Sequence, residues 1–146
     1  MKNLFFTFLI CLCGSAAFGQ FNFGAGAQLT FDPSAIGAQG KVLYEWDDTW
    51  RGAGTFTFYF DSFVNWSIDL DAQYKLLQLS ENFDLAPIGG LSITSFDLGL
   101  ANDTEIGINL GAFIDFVPSD SYHIYLEPKI IVGGFGSLVV SGGILF

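Results

Sequence analysis

The chain has 146 residues, 51% hydrophobic and 17% aromatic but only 14% charged, with a formal net charge of −10. Soluble domains carry about 25% charged residues, so this composition excludes an ordinary solvated surface. The acidic balance argues against a nucleic-acid partner.

The N-terminus reads as a secretory signal. Lys2 supplies the positive start, and Leu4 to Cys13 is apolar apart from Thr7. Ala17 and Gly19 are small residues at the −3 and −1 positions, so cleavage is expected between Gly19 and Gln20. The apolar stretch is too short for a membrane-spanning helix, which needs ~20 residues. A lipid-modified cysteine does not fit, because Leu12 precedes Cys13 and Ile10 precedes Cys11. The expected organisation is a signal over residues 1–19 and one domain over residues 20–146. Both cysteines leave with the signal, so no disulfide, thiolate nucleophile or cysteine metal site is expected in the mature chain.

Eight segments of period-2 alternation follow. They run Phe21–Phe31, Ala35–Trp46, Trp50–Phe60, Val64–Leu79, Phe83–Phe96, Thr104–Phe116, His123–Gly133 and Ser137–Phe146. Turn residues separate them, including Asp32-Pro33-Ser34, Asp47-Asp48-Thr49, Ser80-Glu81-Asn82 and Gly134-Phe135-Gly136. The fourth segment is the clearest. Val64, Trp66, Ile68, Leu70, Ala72, Tyr74 and Leu76 fall on one face, and Asn65, Ser67, Asp69, Asp71, Gln73 and Lys75 on the other. A helix would mix these sets. A bulge is expected near Gln78, where the fourth-to-fifth turn changes parity. Most segments have the ~9–11 residues or more of a tilted transmembrane strand. Lipid tolerates only helices and closed barrels, so the expected fold is all-β: a closed antiparallel up-and-down barrel of eight strands with short loops.

Side-chain volume decides which face points inward. The apolar face carries Phe23, Phe31, Phe56, Phe58, Trp66, Leu70, Ile106 and Leu110, too bulky for an eight-stranded interior. The other face is rich in Gly, Ala, Ser and Thr, so it is expected to line the lumen. Charges follow it. Lys41, Glu45, Arg51, Asp69, Asp71, Lys75, Glu127 and Lys129 are expected to form a buried lumenal charge network, because an unpaired buried charge is expensive. The turn at Asp47–Thr49 would set Glu45 opposite Arg51 and Trp46 opposite Trp50. Aromatics near strand ends, namely Tyr44, Trp46, Trp50, Phe58, Phe60, Trp66 and Phe116, are expected to form headgroup girdles.

Here the chain resembles the small outer-membrane β-barrels of Gram-negative bacteria, of the kind represented by outer-membrane protein X. The likeness is sharpest in Tyr125-Leu126-Glu127-Pro128-Lys129 and in Leu138 to Phe146. Leu138, Val140, Ile144 and the terminal Phe146 are similar to that family's C-terminal assembly signal. The resemblance implies an outer-membrane location, with the termini on the periplasmic side. It also implies contact with outer-membrane lipids, handling by periplasmic chaperones and the barrel-assembly machinery, and a monomeric state. Many relatives have long extracellular loops, and the short loops here weaken an adhesion reading.

Catalytic, cofactor and metal sites are not expected. His123 is the only histidine. A few related barrels use a histidine on lipid A, but here Asp115 is expected to hold it in a lumenal hydrogen bond. The Asp97–Asp103 stretch lacks EF-hand spacing, and Gly24-x-Gly26 precedes no helix, so neither calcium nor phosphate binding is expected there. The expected function is non-enzymatic: a structural or surface-contact barrel with a side-chain-filled polar lumen. The alternatives are a minor pore or conduit for small, including hydrophobic, solutes and, second, a lipid-modifying enzyme.

Overall fold

A computed structural model describes residues 21–97, 99, 102–133 and 136–146. The expected cleavage site at Gly19 and Gln20 lies outside the described residues, as do Leu98, Leu100, Ala101, Gly134 and Phe135 of two turns.

Nine strands form: β1 (Phe21–Phe31), β2 (Ser34–Glu45), β3 (Trp50–Tyr59), β4 (Val64–Tyr74), β5 (Leu77–Ser80), β6 (Phe83–Asp97), β7 (Asn102–Ser119), β8 (Tyr122–Val132) and β9 (Ser137–Leu145). Every pairing is antiparallel between neighbours. β1 also pairs with β9, from Gly24 opposite Leu145 to Thr30 opposite Val139, which closes the sheet on itself. The short β5 continues the line of β4 along β6, so the two share one stave and the barrel has eight. Closure leaves no unpaired edge, which is the condition for crossing lipid with strands.

The alternation places the faces. Large apolar side chains point outward and are exposed, among them Phe56, Leu70, Ile106 and Leu110. Polar side chains point inward and are buried, including Gln28, Gln39, Asp69, Asn109 and Glu127. This inverts the pattern of a water-soluble domain, in which charged residues are almost never fully buried.

Three sequence expectations change. The fourth segment is not one strand, because Lys75 and Leu76 leave the ladder between β4 and β5. Lys75 N donates instead to Thr49 O at 2.8 Å, and Leu76 N to Leu85 O at 3.3 Å. The ladder then shifts register between Gln78 and Ser80, in the expected region. Second, Val64 does not join Trp66 on the outward face. A register shift between them turns Val64 inward, where it is 2% exposed and packs with Ala35, Tyr59 and Phe96. Third, β7 is longer than the alternation suggested, starting at Asn102 and ending at Ser119.

The turns use short acidic side chains as local acceptors. Asp47 Oδ1 accepts from the N–H groups of Thr49 and Trp50, both at 2.7 Å. Asp61 Oδ1 accepts from Phe63 N at 2.7 Å, and Asp97 Oδ1 from Gly99 N at 2.8 Å. These are turn-forming side-chain bonds that replace the missing ladder. The end that holds Phe21 and Phe146 is called the near end below, and the opposite end the far end.

Candidate functional site

The lumen is the candidate site, and its middle is an ion cluster. Lys129 on β8 points inward with its ammonium 2.8 Å from Asp69 Oδ2 and 3.5 Å from Asp71 Oδ2 of β4. Its Nζ also lies 3.3 Å from Glu127 Oε1, but off the hydrogen-bond direction, so that oxygen has no hydrogen-bond partner. Lys41 on β2 meets Glu127 Oε2 at 2.5 Å. Asn109 Nδ2 on β7 donates to Asp71 Oδ1 at 2.7 Å. Strands from opposite sides of the barrel are thus tied across its axis, and all five ionic side chains are 0–1% exposed.

Backbone neighbours make room for this cluster. The residue paired with Asp71 on β6 is Gly90, and the one paired with Lys129 on β7 is Gly111. A Cβ at Gly90 would sit 2.7 Å from Asp71 Cα, and one at Gly111 2.6 Å from Lys129 Cβ. Real Cβ atoms do not tolerate such distances, so each charged side chain occupies space that its glycine partner leaves empty.

Toward the near end the ions sit on aromatic rings. Phe113 and Tyr125 stack at 5.5 Å with a 9° interplanar angle. The Lys41 ammonium lies 5.5 Å from the Phe113 centroid and 5.2 Å from that of Tyr125. The Arg51 guanidinium lies 4.4 Å from the Phe113 centroid, within cation–π range. Arg51 Nε donates to Gln73 Oε1 at 2.5 Å, and its NH1 to Asp115 Oδ2 at 3.3 Å. At the rim, Lys75 Nζ donates to Glu45 Oε1 at 2.9 Å. Glu45 and Arg51 are opposite in the ladder, as the turn symmetry suggested, yet their side chains take different ionic partners. Toward the far end the hydrogen bonds join uncharged side chains: Gln28 Nε2 donates to Tyr59 OH at 2.5 Å, and Tyr59 OH lies 3.4 Å from Ser67 Oγ. Gln39 Nε2 donates to Tyr125 OH.

His123 Nδ1 lies 3.2 Å from Asp115 Oδ2, the oxygen that Arg51 also contacts. Among the described residues no serine hydroxyl is hydrogen-bonded to His123, so a nucleophile–base pair is missing. No group of three or more potential metal-ligating His, Cys, Asp or Glu side chains occurs among the described residues. Outside the spanning strands, the Asp47 carboxyl is held below its ordinary 3.8 by the N–H groups of Trp50 and then Thr49.

The remaining sequence-selected residues lie on the outer surface. Trp46, Trp50, Phe58 and Phe60 are exposed, and Tyr44, Trp66 and Phe116 partly so. They meet other rings edge-on or tilted: Tyr44–Trp46 at 6.2 Å, Trp50–Tyr74 at 4.9 Å, Phe58–Phe60 at 5.9 Å and Phe83–Phe116 at 5.0 Å. Leu138, Val140, Ile144 and Phe146 occupy the outward parity of β9 and its end. Phe146 N donates to Phe23 O at 2.7 Å, which fastens the chain end to β1. The sequence reading places Gln73 on the lumenal face but does not single out the rest of the uncharged filling: Gln28, Gln39, Asn109, Phe113 and Tyr125. Their inward parity was available, but a large ring such as Phe113 does not announce itself as lumenal.

No protein-family model matches the sequence, and no curated protein matches it. Solved structures do resemble it. The N-terminal β-barrel domain of Pseudomonas aeruginosa OprF superposes with a TM-score of 0.74 at 17% identity, covering 87% of this chain and 96% of that one. Neisserial surface protein A gives 0.58 at 17% identity, covering 86% and 95%. Ail, the attachment invasion locus protein of Yersinia pestis, in complex with the heparin analogue sucrose octasulfate, gives 0.51 at 16% identity, covering 87% and 97%. At these identities the likeness establishes the fold, that of the small eight-stranded outer-membrane barrels.

Proposed function

We propose that this chain is a non-enzymatic outer-membrane barrel whose lumen is plugged by its own side chains, and that it acts structurally or through surface contact. One observation carries the reading: Lys129 and Lys41 reach across the axis to Asp69, Asp71 and Glu127, with all five side chains withdrawn from solvent. Eight strands enclose only enough space for side chains, and here the space is taken by mutually paired ions and stacked rings. The rival conduit needs a water path past that cluster. The lipid-modifying reading needs a nucleophile beside His123, and Asp115 is its described polar partner.

Outer-membrane location is supported by the outward apolar surface and by the likeness to barrels of that membrane. The neighbours' surface roles do not carry over in detail. The Ail structure holds a polyanion, whereas among the described residues here Lys41, Arg51 and Lys129 are buried and Lys75 is paired with Glu45. A polyanion therefore finds no exposed unpaired cation, and the exposed charge instead suits cationic or neutral partners.

The test is single-channel recording of the purified, folded protein in planar bilayers. The plugged reading predicts no steady conductance above baseline. A sustained ohmic current would replace the plug with the conduit.

A further inference from the structure

We propose that the far mouth of the barrel is a binding site for a primary alkylammonium group, with Glu105 as its anion. A cavity of about 30 Å³ opens there, walled by Tyr59 and Phe96 and by the polar side chains of Thr30, Asp32, Glu105 and Ser137. On the same measure a water needs about 10–15 Å³, so the cavity has room for an ammonium head and the first carbon of its chain.

The acids at this end divide into two kinds. Asp61 and Asp97 each accept a backbone N–H in their own turn, and Asp103 accepts that of Thr104 at the start of β7. Asp32 and Glu105, the two that line the cavity, make no side-chain hydrogen bond or ion pair to the described residues. Glu105 Oε2 is buried from solvent and has no hydrogen-bond partner. It sits on the inward parity of β7, opposite Thr94 of β6, and no cation of the described chain reaches this level of the lumen. Each described cation is engaged in the middle or at the near end.

A buried, unpaired carboxylate oxygen is costly unless something donates to it. The donor must be small; a cation is favoured because the acceptor is a carboxylate, and its stem must tolerate aromatic walls. An alkylammonium meets all three conditions: three N–H donors for Glu105 and the neighbouring hydroxyls, and a methylene stem against Tyr59 and Phe96. Guanidinium is a poorer fit because its rigid planar fork of five donors is bulkier than an ammonium head, and the cavity offers few acceptors to match it. With no group of three potential His, Cys, Asp or Glu ligands among the described residues, a divalent cation is also a poorer fit. A linear polyamine would place one end in the cavity and its other charges among Asp61, Asp97 and Asp103. A lysyl side chain of a basic peptide presents the same chemistry.

The proposal does not depend on the lumen being plugged. It is tested by isothermal titration calorimetry on the full mature barrel in nanodiscs. The probes are spermidine, a neutral diol of similar length, and an end-blocked Gly-Lys-Gly peptide. Heat-shifted gel migration verifies that each variant is folded. The expected result is saturable binding of spermidine or of the peptide at one site per barrel, with no binding of the diol. Whichever amine binds more tightly identifies the source. Glu105→Gln should weaken binding tenfold or more and Asp32→Asn about threefold, while Asp120→Asn, at the other end, should leave it unchanged. If Glu105→Gln failed to fold, Asp32→Asn against Asp120→Asn would still decide. Equal binding by the far-end variants and wild type would overturn the proposal, as would displacement of spermidine by calcium at equal or lower concentration.

Discussion

The middle of the lumen and its far mouth hold the same kind of group in opposite circumstances. In the middle, three carboxylates face two ammonium groups, and each carboxylate has a cation within 3.5 Å. At the far mouth, Glu105 has no partner for an oxygen that is equally hidden from water. The pairing in the middle crosses from β2 to β8 and from β8 to β4, so it joins staves that share no ladder. The mouth joins nothing. Buried charge that is paired acts as a strut, and buried charge left unpaired acts as an offer to something outside the chain.

Substitutions that separate strut from offer should differ sharply in stability. Lys129→Met has the largest expected effect, because it removes the cation that, among the described residues, Asp69, Asp71 and Glu127 share. Removing one partner of a buried pair costs about 3–5 kcal/mol, which urea unfolding of the barrel in lipid vesicles would register. A loss near zero would mean that the cluster is filler and not a strut. Gly111→Val comes next. A Cβ there meets Lys129, and overpacking of this kind costs about 1–3 kcal/mol. Indifference to it would show that the lumen has slack.

Glu105→Gln should leave stability unchanged or raise it, since no internal contact is lost and an unpaired buried charge is removed. A large loss in the absence of any added ligand would make Glu105 part of the strut and erase the distinction. The smallest effect lies outside the lumen altogether. The Asp47 carboxyl is held below 3.8 by the N–H groups of Trp50 and Thr49, so its stabilisation is present above that pH. It is lost as pH falls through the still lower folded value. Asp47→Asn should therefore lower stability slightly across the neutral range and remove the small acid-side slope from the unfolding curve.

The contrast also marks how far the sequence could be read. Parity alone carries β1, β2, β3 and β9, because their ladders to the flanking strands run without a register shift between turns rich in Asp, Pro, Ser or Gly. It also carries the inward placement of Lys41, Arg51, Asp69, Asp71, Glu127 and Lys129. It fails where the ladder is irregular. Val64 reads as lipid-facing from its parity because a register shift cannot be seen in composition. The break at Lys75 and Leu76 was hidden because their parity continues that of β4. Partner choice was also out of reach. The ladder sets Glu45 opposite Arg51, but long side chains reach beyond their nearest neighbours, to Lys75 and to Asp115. The cavity at Glu105 is lined from seven strands, β1, β3, β4, β6, β7, β8 and β9, which no single strand records.

The central claim is that charge pairing in the middle of the lumen holds the barrel together. A double-mutant cycle on Lys129 and Asp69, read by reversible unfolding in lipid vesicles, tests it most directly. Lys129→Met alone leaves Asp69 buried without its 2.8 Å partner. Adding Asp69→Asn removes the stranded charge. The double variant should therefore be more stable than Lys129→Met alone, with a coupling of about 1–3 kcal/mol between the two positions. Strictly additive losses would contradict the claim and reduce the cluster to independently packed side chains.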